Sequence, residues 1–223
     1  MFVRCPAPAP LDPALVTALS EVSTSTLGHL RDYGFPRGLV PLHRPVSFVG
    51  PAVTVRIPHL DSTAVHVAAD GLRPGDVLVV DQSGDSRSCF GGVLAHTVAA
   101  RGAAGAVLAG SVNDVEEIAE TGLPVFSAGV SARTTRILGI EGSINIPVTI
   151  GGTVIHPGDV VFADSDGIAV FDRSEAWEIV NLLKEKEAAE PDARARISQG
   201  EHLSELTGAA QLFAAGLSSD AVR

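Results

Sequence analysis

The sequence predicts an α/β fold with a mixed sheet and a C-terminal helical arm. Three observations lead there. Short apolar runs alternate with helical stretches between residues 73 and 129, and such alternation implies strands paired at least partly in parallel. From 143 onward, "SINIPVTIGGTVIHPGDVVFADSDGIAVF" breaks into brief runs punctuated by glycines, the pattern of an antiparallel patch. Beyond 174 the strand signals give way to amphipathic helical periodicity.

Taken in order, residues 12–33 carry helical spacing through Leu15, Leu19, Val22, Leu27 and Leu30. The hydroxyls of "STSTLGHL" interrupt it, so a helix, a break and a second helix are expected. "PAVTVRI" (51–57) alternates as a strand, and "STAVHVAADG" (62–71) forms a short helix ended by Gly71. In "RPGDVLVVDQSGD" (73–85) a Pro-Gly-Asp turn feeds a buried strand, and "HPGDVVFADSDG" (156–167) repeats that unit. Between the two lie a helix at 91–102, a strand at 103–110, a helix at 114–122 and a strand at 123–129. Helices at 174–190 and 201–215 follow, with Pro191 as the breaker between them. No linker or low-complexity stretch intervenes. A single domain over 1–223 is expected, with its core at about 20–190 and the arm at 191–223.

The hydrophobic fraction is 45% and the mean hydropathy +0.27, yet no run approaches the roughly 18 apolar residues of a membrane span. The excess is Ala and Val spread through short elements, which points to a buried sheet and subunit interfaces. The 16 basic and 26 acidic residues give a net charge of −10, which argues against nucleic acid and anionic membranes as partners. The start "MFVRCPAPAP" has no apolar signal core, so the cytoplasm is the expected location. Cys5 and Cys89 make no disulfide framework and no metal-ligand spacing; Cys89 is read as a packing residue.

Two helix starts are candidates for chemistry. At Gly91-Gly92-Val93-Leu94, free backbone N–H groups and the positive end of the helix dipole favour an anion such as the carboxylate of a small organic acid. At Asn113-Asp114, the aspartate followed by Glu117 matches a capping box, and the same carboxylate could hold a metal ion. Both starts are expected at strand carboxyl ends, after the strands near 77–81 and 105–109, where ligands of α/β sheets bind.

Residues 90–126, "FGGVLAHTVAARGAAGAVLAGSVNDVEEIAETGLPVF", resemble the signature region of the family that contains regulator of ribonuclease activity A and the 4-hydroxy-4-methyl-2-oxoglutarate aldolases. "GPAVTV", "PGDVLVVD", "VSARTT", "GSINIPVTIGG" and "HPGDVVFADSDGIAV" extend the resemblance in order from about 20 to 190, on the aldolase side of the family. It implies a swivelling β/β/α-type sandwich in a trimeric or hexameric ring, with sites between subunits. It also implies Mg²⁺ or Mn²⁺ at Asp114 and a pyruvyl carboxylate on the amides of Gly91, Gly92, Val93 and Leu94. A glutamate of the neighbouring subunit's C-terminal helix, Glu187 or Glu190, would approach the site.

The sequence departs from that pattern twice. Asn113 stands where the aldolases carry an arginine, and Gly92 where they usually carry an acidic residue. Losing one such stabiliser of enolate charge costs roughly 2.7–4 kcal/mol, about a hundred- to a thousandfold in rate. Arg87, just before the glycine loop, is the leading candidate replacement cation and substrate contact; Arg133 and Arg136 could substitute as well, but are read first as surface or intersubunit ion pairs. His96 is the candidate base, ahead of His29 and His66, and Asp81, Asp85, Asp164 and Asp166 are read as turn and strand-end residues. Two functions remain: a metal-dependent lyase of small 2-oxo acids with altered substrate choice, or an inactive ring that binds a protein partner.

Overall fold

In the computed structural model, which describes residues 1–217, contacts divide the chain into two compact units, Met1–Val180 and Asn181–Arg223. The first unit contains strands β1 (Phe2–Arg4), β2 (Val40–Pro41), β3 (Ser47–Arg56), β4 (Val77–Asp81), β5 (Ser88–Phe90), β6 (Gly105–Val112), β7 (Val125–Val130) and β8 (Gly142–Ile144). Strands β9 (Val148–Ile150), β10 (Thr153–Ile155), β11 (Val160–Asp164) and β12 (Ile168–Phe171) complete it. Its helices are α1 (Pro13–Ser20), α2 (Thr24–Gly28), α3 (Thr63–Asp70), α4 (Gly92–Ala100) and α5 (Val115–Glu120).

The layering follows from the period of two along β4. Leu78 and Val80 face a core shared with Val65 and Ala68 of α3, Leu94 and Val98 of α4, and Ile118 of α5. Val77 and Val79 face a second core with Ile150, Ile155, Val161 and Val170 of the antiparallel strands. Each such side chain contributes about 1.5–3 kcal/mol when fully buried, so a strand apolar on both faces is stable only between two layers. The result is helices, a mostly parallel sheet and an antiparallel layer: the β/β/α sandwich.

The parallel part runs β3-β4-β6-β7, with β8 and β2 antiparallel at its sides. β3 belongs to both sheets. Ala52–Arg56 pairs in parallel with β4, while Ser47–Pro51 pairs antiparallel with β11. The two Pro-Gly-Asp turns meet at its middle: Ala52 N donates to Asp159 O at 2.9 Å, and a Cβ on Gly50 would lie 2.1 Å from Gly75 O.

Several boundaries differ from the sequence expectation. Residues 29–33 are not helical and Leu30 is exposed. β5 falls in residues 86–90, where the sequence suggests no element. Pro191 does not separate two helices; it occupies the first turn of one, a place where its missing N–H costs nothing. Helix α6 (Ala176–Ala188) ends before it, α7 (Glu190–Ser198) contains it, and the expected helix at 201–215 is split at Gly208 into α8 (Leu203–Leu206) and α9 (Ala209–Gly216). Gly208 has φ +73°, which a glycine adopts without penalty. Among the described residues no helix is long and apolar enough to cross a membrane.

Candidate functional site

The two corners singled out in the sequence are neighbours because β5 and β6 pair in parallel, Ser88 with Ser111 and Phe90 with Val112. Gly91 caps α4 directly after β5, and Asn113-Asp114 turn from β6 into α5. The first corner therefore follows β5 rather than the strand at 77–81.

Asp114 has φ +55° and ψ +47°, a left-handed conformation that aspartate tolerates better than most residues. Its side chain makes no capping bond to its own helix, so the capping box with Glu117 does not form. The left-handed turn aims the carboxylate across to the other corner, where Oδ2 accepts from Gly92 N at 3.1 Å. Asp114 thus caps α4. Helix geometry leaves the amides of Val93 and Leu94 without a partner inside α4.

Asn113 is fixed at both ends. Its N donates to Phe90 O at 3.1 Å, and its Oδ1 accepts from Ser88 Oγ at 2.5 Å. The amide nitrogen stays over Gly91, where an added Cβ would lie 2.6 Å from both Asn113 Nδ2 and Asp114 Oδ2. Gly91 is extended, with φ −127°, so its constraint is space: a larger residue would have to displace the ends of the Asn113 and Asp114 side chains. At Gly92 an added Cβ would lie 2.0 Å from Glu117 Oε2. The carboxylate of α5 occupies the volume that a side chain at 92 would need.

Both corners open on a cavity of 320 Å³ whose wall includes Gly91, Val93, Leu94, Asn113, Asp114, His66 and Arg136. Arg87 is not part of that wall. Its guanidinium pairs with Asp85, and its backbone amide donates to Asp85 Oδ1 at 2.8 Å. Burial pushes the Asp85 carboxyl up, but the Arg87 hydrogen bonds and charge outweigh it and the net shift is downward. His96 is exposed and lines a separate 660 Å³ hollow with Glu117 and Glu120. His66, ranked lower in the sequence, lies at the cavity. A 630 Å³ hollow elsewhere is lined by Arg31, which pairs with Glu175, by His156 beside Asp159, and by Arg37 and Asp32.

Cys89 borders the cavity with its side chain buried, and burial pushes its thiol up to about 12. It stays protonated and is no nucleophile. Glu187 lies on α6 and Glu190 opens α7, where it pairs with Arg194.

Sequence reasoning ranked Arg136 below Arg87 because a distant residue places it. Asp61, 1% exposed, accepts from Thr63 N and Oγ1 and from the amides of Leu138, Ile140 and Glu141, at 2.5–3.2 Å. Burial works to raise its carboxyl, but the Thr63, Ile140 and Leu138 hydrogen bonds win and hold it well below the usual range. Next to it, Arg136 N donates to Leu60 O and Ser62 N donates to Arg136 O, both at 2.8 Å. The 136–141 segment is thereby tied to the start of α3, beside the cavity.

Helices on one face of a partly parallel sheet, with polar groups gathered at strand carboxyl ends, define an α/β protein whose candidate site lies where ligands of such sheets bind. A family profile described as Aldolase/RraA matches residues 16–170, and the chain belongs to this RraA-like family. A protein of Halalkalibacterium halodurans, provisionally named a 4-hydroxy-4-methyl-2-oxoglutarate aldolase, is 34% identical over 157 residues, 70% of this chain and 74% of the relative. The crystal structure of Streptomyces coelicolor RraAS2, described as an unusual member of the RNase ES inhibitor RraA family, superposes with TM-score 0.75 at 31% identity. The match covers 82% of this chain and 97% of that one. The Thermus RNA-processing inhibitor RraA superposes with TM-score 0.60 at 26% identity, over 67% and 92% of the two chains.

Proposed function

We propose that this protein is a lyase that breaks a carbon–carbon bond of a small 2-oxo acid, by retro-aldol cleavage or decarboxylation. The observation that carries the reading is the meeting of the Asp114 carboxylate with the first amides of α4 in one cavity. The amides of Val93 and Leu94, at the positive end of α4, hold the substrate carboxylate. Asn113 Nδ2 donates one neutral hydrogen bond beside Gly91.

Mg²⁺ or Mn²⁺ fits the donor set. Asp114 offers a carboxylate whose second oxygen accepts no hydrogen bond from a described residue. The described residues contain no group of three metal-ligating side chains, and a single carboxylate completed by water is a common arrangement for Mg²⁺. Such an ion, held at Asp114, supplies Lewis-acid polarisation of the oxo group. The family resemblance supports a ring of three or six copies in which Glu187 or Glu190 of one copy approaches the site of the next.

A second reading is favoured by Asn113. Its carbonyl is tied to Ser88 and it carries no charge, so an inactive ring that binds a protein partner is consistent with the likeness to the RraA inhibitors. Pyruvate release from oxaloacetate and from 4-hydroxy-4-methyl-2-oxoglutarate, with and without Mg²⁺ or Mn²⁺, separates the two. Metal-dependent release by the native protein is the expected result. Silence from both the native protein and Asn113→Arg, together with no measurable metal binding, overturns the lyase reading in favour of the protein-binding ring.

A further inference from the structure

We propose that Arg136 supplies a side-chain positive charge to the cavity, which the neutral Asn113 does not, and binds the anionic group of its ligand. The proposal rests on the lyase reading and names a residue that this reading does not use.

Charge singles it out. The chain carries a net charge of −10 and the cavity holds the Asp114 carboxylate, so an anion entering it gains from a side-chain cation on the wall, beside the ion proposed at Asp114. Among the described lining residues Arg136 is the only arginine or lysine. The nearest alternatives are engaged: Arg87 is neutralised by Asp85, and Arg133 Nη2 donates to Ser86 Oγ at 3.2 Å.

The second argument is pre-organisation. The backbone of Arg136 is held on both sides, by Leu60 O and by Ser62 N, with Ser62 Oγ also donating to Arg136 O at 3.2 Å. The guanidinium itself makes no ion pair or hydrogen bond to any described residue. A side chain so anchored at its root and unpaired at its tip can meet a carboxylate with little ordering of the main chain, and arginine suits a carboxylate by its two-pronged donor geometry. His66 lies on the same wall, so the bound anion would rest between α3, the 136–141 segment and the start of α4.

The test is a titration with pyruvate, in Mg²⁺-containing buffer, followed by ligand-detected NMR at low and high salt. Native protein, Arg136→Ala, Arg136→Lys and Arg133→Ala are compared. The expected result is a Kd raised tenfold or more by Arg136→Ala and partly recovered by Arg136→Lys. The salt dependence of Kd seen in the native protein should be reduced in Arg136→Ala, and Arg133→Ala should match the native protein. Melting temperatures should agree among all four, because the backbone of residue 136 makes the structural contacts. Native-like affinity and salt dependence in Arg136→Ala overturn the proposal while leaving the lyase reading intact. Absence of pyruvate binding by the native protein removes both.

Discussion

The Asp114 carboxylate accepts a hydrogen bond from the Gly92 amide at 3.1 Å, so the residue that begins one helix caps the neighbouring one. Two consequences follow from this bond. It ties the two strand-end corners of the cavity together, and it gives Asp114 a structural duty beside the ligand-binding one proposed for it.

Those duties separate by substitution. Asp114→Asn keeps an acceptor oxygen and tolerates the left-handed backbone, whereas Asp114→Ala keeps neither advantage. Loss of a cap costs about 0.5–2 kcal/mol. Urea unfolding without metal should therefore show Asp114→Ala less stable by about that amount and Asp114→Asn close to the native protein. Mg²⁺ should raise the unfolding midpoint of the native protein alone, because both variants remove the charge. An equal response to Mg²⁺ in Asp114→Asn would show that the ion binds elsewhere.

Gly92 and Glu117 form a coupled pair. A Cβ on Gly92 would lie 2.0 Å from Glu117 Oε2 and 2.9 Å from Glu117 Cβ, so Gly92→Ala requires the glutamate to swing aside and α5 to adjust. Overpacking of this kind costs about 1–3 kcal/mol. Gly92→Ala should be destabilising on its own and much less so in a Glu117→Ala background. Additive effects in the double-mutant cycle would refute the contact.

Asp61 gives the protein an acid-sensitive clamp. Its folded-state pKa lies below the unfolded value of about 3.9. The stabilisation is therefore complete well above that pH and is lost as pH falls from there toward the folded pKa. Asp61→Asn should lower stability at neutral pH, since one of its two oxygens becomes an NH₂ facing backbone donors. Unsatisfied buried groups cost about 1–3 kcal/mol each. The gap between native and variant stabilities should narrow steadily below about pH 4, measured by urea unfolding across pH. A gap independent of pH would exclude an ionised Asp61 as its source.

The layered fold was legible because β4 and β11 are apolar on both faces and are entered by the same Pro-Gly-Asp turn. Both strand-end corners were legible from glycines and an aspartate in short helix-start motifs. Two features were not. β5 has only three residues, too few to show a period, and it pairs with β6 across a register shift. Arg136 reaches the cavity because Asp61 binds amides 77 to 80 residues away in sequence, a tertiary effect without a local signature. The capping box misled for a related reason. Its spacing is correct, but the left-handed turn at Asp114 directs the carboxylate to α4.

Cys89 tests how closed the cavity floor is. It is 3% exposed and its thiol is pushed up to about 12 by burial, whereas Cys5 is exposed. Thiolate is the reactive form, so at pH 8 a disulfide reagent such as dithionitrobenzoate should label one thiol per chain quickly in the native protein and two after unfolding. Cys5→Ser should abolish the fast phase and leave labelling of Cys89 governed by opening of the structure. Because Cys89 sits in β5 between Ser88 and Phe90, its slow rate reports the integrity of the strand that positions Asn113. Rapid labelling of Cys89 in the native Cys5→Ser protein would mean that β5 opens readily and that the two corners are not held together as Asp114 and Gly92 imply.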